Sequence, residues 1–147
     1  MRLDHQKEAM ICDHCHNIEF PAPDRDGIRV FKNSVPERCP ICAVPLLTAA
    51  AGGQPAFSCP RCRGLLVESE RFLVLITELR AQRETPPEAP RPAEPRDLDR
   101  RIRCPRCHEF MDTHPYGGPG NIVIDNCPAC ELNWLDHGEL RRIVAAP

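Results

Sequence analysis

Aromatic side chains are scarce in this sequence: seven Phe, Tyr and Trp residues among 147, set against 17 prolines. Such a composition cannot fill one large interior with rings, and it predicts many short turns held by something other than apolar burial. Long hydrophobic runs are missing too. No stretch reaches eighteen consecutive apolar residues, so no bilayer-spanning helix and no membrane partner are expected. The first ten residues include Arg2, Asp4, Lys7 and Glu8 and lack the apolar centre of a secretory signal. The expected location is therefore cytoplasmic, where thiols stay reduced.

Excess positive charge is also absent. The formal net charge is −2. That balance argues against a strongly basic nucleic-acid binder. Catalytic motifs are missing as well: there is no phosphate-cradling glycine loop, no helical histidine pair and no Ser-His-Asp arrangement. An enzyme is not expected.

What the sequence has is cysteine, and all ten fall in C-x-x-C pairs: Cys12/Cys15, Cys39/Cys42, Cys59/Cys62, Cys104/Cys107 and Cys127/Cys130. A C-x-x-C turn puts both sulfurs on one side of a tight knuckle, and two facing knuckles make a closed tetrahedral four-sulfur shell. The chain repeats this unit. Cys39-Pro-Ile-Cys42, sixteen residues and Cys59-Pro-Arg-Cys62 match Cys104-Pro-Arg-Cys107, nineteen residues and Cys127-Pro-Ala-Cys130. Downstream, Leu66-Val67-Glu68 stands where Trp134-Leu135-Asp136 stands, and Phe72 where Leu140 stands.

These repeats predict a small metal-stabilised fold of two zinc ribbons, short antiparallel strands with zinc knuckles, each followed by a helix. The metal ligands are Cys39, Cys42, Cys59 and Cys62 in one and Cys104, Cys107, Cys127 and Cys130 in the other. Two Zn2+ per chain are expected, or three if the fifth pair also binds. Units of roughly 40 residues cannot stabilise themselves by burial alone, so each half should rely on its ion in place of an apolar interior. The Val/Ile-rich stretch Asn121–Asp125 predicts a strand leading into the last knuckle, and Pro115–Gly120 before it a turn.

The domain plan that follows is an N-terminal segment 1–38 carrying the extra knuckle, a first ribbon plus helix 39–83, a linker 84–99, and a second ribbon plus short helix 100–147. The linker has five prolines in sixteen residues and a local charge of −3, the composition of an extended, solvated tether. Phe72, Leu75, Ile76 and Leu79 recur at helical spacing over 69–83, while Leu73 and Val74 widen the apolar face enough to suggest self-association. Asp136 and Glu139 read as a capping box, Asp as N-cap with Glu three residues on.

The second copy, CPRC…IVIDNCPACELNWLDHGEL, resembles the bacterial zinc-ribbon family named after the ribbon of transcription factor IIB. That family pattern runs CPxC, a hydrophobic strand, then CPxC with Gly-Gly, Trp-Leu-Asp and Gly-Glu-Leu. Trp134, Leu135, Asp136, Gly138, Glu139 and Leu140 fall on its trailing motif, and the first copy looks like a degraded version with a single Gly64. The resemblance implies a zinc-binding fold with links to transcription or nucleic acid. Two departures stand out: Glu131 and Leu132 replace Gly-Gly, and Leu66 replaces the tryptophan that the second copy keeps. Trp134 is expected to shield the metal, and only secondarily to stack on a base.

Cys12 and Cys15 have no partner knuckle in this scheme. An alternative joins them to Cys39/Cys42 through strands at 18–20 and 28–31 with a turn at 24–27, and leaves Cys59/Cys62 to reach Cys104/Cys107. Under the repeat pairing, they could form a third site with His5, His14 or His16, bind metal between two chains, or stay free thiols. C-x-x-C-H at Cys12–His16 and Cys104–His108 formally matches haem attachment, but no export signal accompanies it and the second copy belongs to a ribbon.

The expected function is a zinc-binding adaptor that presents its ribbons to a macromolecular partner, either protein or nucleic acid. Arg61, Arg63, Arg100, Arg101, Arg103 and Arg106 are the local cations that could meet phosphates. The alternative is a thiol-based redox or metal sensor using Cys12, Cys15 and His16.

Overall fold

A computed structural model describes residues 2–4, 9–92, 95–116 and 121–147. His5 and most of the turn expected at 115–120 lie outside the described residues. In chain order the elements are β1 (Arg2–Asp4), β2 (Ala9–Ile11), β3 (Ile18–Glu19), β4 (Ile28–Arg38), β5 (Pro45–Ala51), β6 (Gln54–Ser58), β7 (Leu65–Glu68) and α1 (Ser69–Ala81). A short α2 (Pro95–Asp99) follows, then β8 (Asp112–Pro115), β9 (Val123–Cys127), β10 (Leu132–Leu135) and α3 (Glu139–Ala145).

The ribbons do not stand apart. They share one seven-stranded antiparallel sheet in the order β4-β5-β6-β7-β10-β9-β8. The join is the pairing of β7 with β10, in which Trp134 faces Leu66, Asn133 faces Val67 and Leu135 faces Leu65. Leu66 and Trp134 are the equivalent positions of the two repeats. A pair of equivalents facing each other across antiparallel strands marks a local two-fold axis, so the chain is built as an internal dimer of ribbons.

Alternation along these strands sends side chains to two buried faces. Leu65, Val67, Ile124 and Leu135 join Phe72, Leu75 and Ile76 of α1 and Leu140 and Ile143 of α3 in one apolar cluster. Leu66, Leu132 and Trp134 turn the other way and join Cys39, Cys59, Cys104 and Cys127 with Ile102 and Met111. Both clusters draw on both repeats. The apolar interior is thus larger than the sequence predicts, because a ribbon that cannot cover its own sheet is covered by its twin.

Polar contacts repeat the cross-tie. Arg80 donates to the Ile143 carbonyl at 2.7 Å, and Arg83 to the carbonyls of Val144 (2.8 Å) and Ala146 (3.1 Å), so α1 and the residues just past its end satisfy the last turn of α3. On the same helix Leu73 and Val74 stay exposed. The 84–99 segment differs from a free tether. The Glu88 N–H donates to the Ala145 carbonyl at 2.7 Å, and residues 95–99 form α2.

The N-terminal strands form a separate sheet, β1-β2-β3. It is fastened to the body by Met10 packing with Phe31 and Ala50. The turn at 24–27 forms, with Asp24 Oδ1 accepting from the N–H groups of Asp26 (2.8 Å) and Ile28 (3.0 Å). Its flanking strands nonetheless belong to different sheets: β3 pairs with β2, and β4 with β5.

Candidate metal centres

The knuckles at Cys39, Cys59 and Cys104 are closed by the same backbone pattern. The first cysteine's carbonyl accepts from the residue after the second cysteine: Ala43 to Cys39 (2.9 Å), Arg63 to Cys59 (3.0 Å) and His108 to Cys104 (2.9 Å). Its own N–H donates one residue further on, to Val44 (2.8 Å), Gly64 (2.9 Å) and Glu109 (2.8 Å) respectively. This geometry needs a left-handed residue directly after the second cysteine. Ala43, Arg63, His108 and Glu131 all take it, with φ of 59, 61, 64 and 54°. None is glycine, so each turn carries strain on the order of 1 kcal/mol or more, held by what the knuckle binds. Glu131 therefore does the work of the missing glycine at its position.

The knuckles bring together Cys39, Cys42, Cys59 and Cys62, and separately Cys104, Cys107, Cys127 and Cys130, with all four sulfurs of each set within 4.8 Å of one another. This is the repeat pairing, and the alternative joining Cys12/Cys15 to Cys39/Cys42 is overturned. Across each site, Cys39 and Cys62 Sγ lie 3.6 Å apart and Cys107 and Cys127 Sγ 3.7 Å. A tetrahedron with zinc–sulfur distances of about 2.3 Å has edges of about 3.8 Å. A disulfide would need about 2.05 Å. The spacing fits an ion and not a bond between sulfurs.

Backbone donors support the inner sulfurs. The N–H groups of Ile41 and Cys42 point to Cys39 Sγ at 3.4 and 3.2 Å, those of Arg61 and Cys62 to Cys59 Sγ at 3.4 Å each, and that of Arg106 to Cys104 Sγ at 3.4 Å. Four crowded thiols cannot all ionise without a cation. Desolvation raises Cys39 and Cys104, raises Cys62 strongly, and with the neighbouring Cys107 and Cys104 sulfurs pushes Cys130 up to about 12. A dication reverses that cost by accepting four thiolates at once. Two Zn2+ ions fit the chain, one in each set.

Trp134 is wholly buried beside these sulfurs, packed with Cys39, Cys59, Cys104 and Cys127. This placement suits a cover over the cysteines, and a ring without exposure cannot stack on a base. Its position is set from the other repeat: a Cβ on Gly64 would lie 2.1 Å from Trp134 Cζ2. The indole Nε1 donates to Asp136 Oδ1 at 3.2 Å.

That bond changes the reading of the trailing motif. Glu139 Oε2 accepts from the Asp136 N–H at 2.7 Å, which is the returning half of a capping box, but the cap of α3 is Gly138 at φ 89°. Asp136 is not the side-chain N-cap, because its carboxylate is engaged by Trp134 and by Arg100. Arg100 bridges Asp136 and the buried Asp125, and Thr113 Oγ1 donates to Asp125 Oδ1 at 2.7 Å. Arg100, one of the arginines that could meet phosphates, is thus committed to two carboxylates. No local spacing links it to Asp125, twenty-five residues away, so the pairing had no sequence signal.

Arg106 pairs with Glu37 of the first half at 3.2 Å. Arg101 and Arg103 stack on the exposed Phe110 ring, 5.2 and 4.1 Å from its centroid. Cys12 and Cys15 are not joined by His16 or any other third ligand: among the described residues the only groups of three or more candidate ligands are the two tetracysteine sets. Hydrogen bonds from the Cys15 and His14 backbone, with the Cys15 thiol, lower the Cys12 thiol's pKa.

Residues 103–146 match the family model described as transcription factor zinc-finger, which covers the second ribbon and α3. The first ribbon repeats that unit through its own tetracysteine set. No curated protein and no solved structure gives a significant match to the chain.

Proposed function

We infer that the chain is a binding module, a rigid pair of zinc ribbons that presents its surface to a protein partner, and not an enzyme. The observation that carries this reading is the completeness of both ligand sets. Each has four sulfurs, whereas catalytic zinc keeps an open position for water or substrate. The metal here supports shape.

A protein partner is favoured over nucleic acid by the state of the arginines. Arg100 is committed to Asp125 and Asp136, and Arg106 to Glu37. Phosphate binding would have to break these pairs, and the chain's net negative charge opposes it further. Arg61 and Arg63 stay exposed beside the first ribbon's knuckle, but the patch with an apolar centre is Phe110 with Arg101 and Arg103, an exposed ring between two guanidiniums, suited to a peptide that carries acidic and apolar side chains.

Electrophoretic mobility shift with single- and double-stranded DNA and RNA at rising salt tests the choice. The expected result is no retardation at low ionic strength. A complex that forms there and weakens steeply with salt would make the partner a nucleic acid.

Among the described residues no helix is long and apolar enough to cross a membrane.

A further inference from the structure

Four of the five knuckles are accounted for by the two metal sets. The fifth, Cys12-Asp13-His14-Cys15, is built to the same specification. The His16 N–H donates to the Cys12 carbonyl at 2.8 Å, and the Cys12 N–H donates to the Asn17 carbonyl at 2.8 Å. These are the two bonds that close the knuckles at Cys39, Cys59 and Cys104. His16 takes the left-handed position at φ 55°, as Ala43, Arg63, His108 and Glu131 do in theirs. A non-glycine residue is thus strained into the ligating form at a place where no ion of the known sets can reward it.

The two cysteines are neither buried nor bridged. Cys15 is exposed, Cys12 is partly exposed, and both are free thiols close enough to hydrogen-bond each other. They are held away from the tetracysteine sets on the small β1-β2-β3 sheet, which Met10 anchors to Phe31 and Ala50. Asp13 at the knuckle's tip pairs with Arg2 at 3.7 Å, so the carboxylate beside the sulfurs is partly neutralised.

We propose that Cys12 and Cys15 are half of a third zinc site, completed by the same two residues of a second copy of this chain. The chemistry fixes the count. A knuckle supplies two thiolates, a closed zinc site takes four, and both sites within the chain are made by one knuckle facing another. Among the described residues no third or fourth ligand is gathered with this pair. An identical knuckle related by a two-fold axis through the ion supplies the missing two with the same geometry. On binding, each of the four thiols gives its proton to solvent and its sulfur lone pair to the ion; no oxidation is involved. The resulting dimer depends on zinc, and forms whichever partner the ribbons hold.

The test is metal content measured together with molar mass in solution, on the full chain purified with a non-thiol reductant and excess zinc removed. The expected result is about five zinc ions per pair of chains and the mass of a dimer. The Cys12→Ser/Cys15→Ser variant should give about four ions per two chains and the mass of a monomer. Its retained ions would show that both ribbons still fold. Limited chelation of the native chain should release the exposed shared ion first and dissociate the dimer, before the four buried ions leave.

Three results would overturn the proposal. One is a monomer with two ions per chain in the native protein. Another is a monomer with three, which would place all ligands of the third site in one chain. The last is a dimer that the double serine variant leaves intact, which would assign self-association to another surface such as the exposed Leu73 and Val74 face of α1.

Discussion

Replacing Gly64 with alanine tests the internal two-fold directly. The added Cβ would lie 2.1, 2.6 and 2.9 Å from Trp134 Cζ2, Cη2 and Cε2. Carbon atoms in contact prefer about 3.5–4.0 Å, so the ring would have to retreat by roughly 1.5 Å. It has nowhere to go. Trp134 is fully buried, packed among metal-binding cysteines of both repeats and tied through Nε1 to Asp136. A close-packed interior passes such strain on. Overpacking costs typically about 1–3 kcal/mol, and this site belongs at the upper end. For a domain of this size about 3 kcal/mol lowers the melting temperature by roughly 6–12 °C.

The same contact makes a stronger prediction when Trp134 is cut back. Trp134→Leu alone should cost about 2–3 kcal/mol, less than the ~3–5 kcal/mol of a full truncation to alanine. Gly64→Ala combined with Trp134→Leu should cost little more than Trp134→Leu by itself, because the alanine methyl enters space the indole has left. The coupling between the two changes is then nearly the whole cost of Gly64→Ala, about 2–3 kcal/mol. Thermal unfolding at fixed zinc and reductant, with two ions per chain confirmed for each variant, provides the measurement. Strictly additive losses would refute the claim that these residues of different ribbons touch. So would a Gly64→Ala protein as stable as the parent.

Two further outcomes follow from the shared sheet and its buried acid. Cys59→Ser should release the first ion and also weaken amide-exchange protection along β9 and β10, since β7 pairs with β10 and both apolar clusters span the repeats; unchanged protection there would mean the ribbons fold independently. Glu139 is pushed up to about 8, first by desolvation and then by the Asp136 charge. Its folded pKa exceeds its unfolded value near 4.5, so the stability it contributes is complete below about 4.5 and is lost as pH rises through about 8. Glu139→Gln, which can still accept from the Asp136 N–H, should flatten the fall in melting temperature between about pH 4.5 and 8, and an unchanged slope would assign the effect to another group.

The metal ligands were legible because their chemistry is local. A knuckle needs two sulfurs three positions apart and a turn to close them, and five such turns are written in the sequence whatever surrounds them. The repeat then paired them correctly. The 69–81 helix was legible for the same reason, through helical spacing. One strand was legible through β-branched content, the 121–125 stretch that runs into β9, whereas β5 (PLLTAAA) and β6 (QPAFS) carry almost none. What the sequence hid was everything that crosses between repeats. The β7–β10 register and the Arg80 and Arg83 bonds to α3 cross in this way, and the Arg100 bridge to Asp125 and Asp136 spans the second ribbon; together they join residues 25 to 70 positions apart. No period or motif encodes such contacts. The linker misled for a related reason. Its proline content describes an unsupported chain, whereas Glu88 is bonded to the end of α3.

The departures from the family pattern take on a different meaning once the two-fold is seen. Considered one repeat at a time, Leu66 in place of tryptophan and Leu132 in place of glycine look like erosion. Considered across the axis, they belong to one arrangement. The repeats are offset by sixty-eight positions (Cys62 to Cys130), so Leu132 is the equivalent of Gly64, and Leu66 the equivalent of Trp134. On one side the large ring of Trp134 lies over the bare backbone of Gly64. On the other, a medium side chain, Leu66, takes the ring's place and a medium side chain, Leu132, takes the glycine's, both fully buried in the same cluster. A tryptophan at 66 would require a glycine at 132, by the steric argument that forbids alanine at 64. Either pair fills the space, and mixing them does not. Leu66 of the first ribbon is therefore fitted to the interior it shares with its twin.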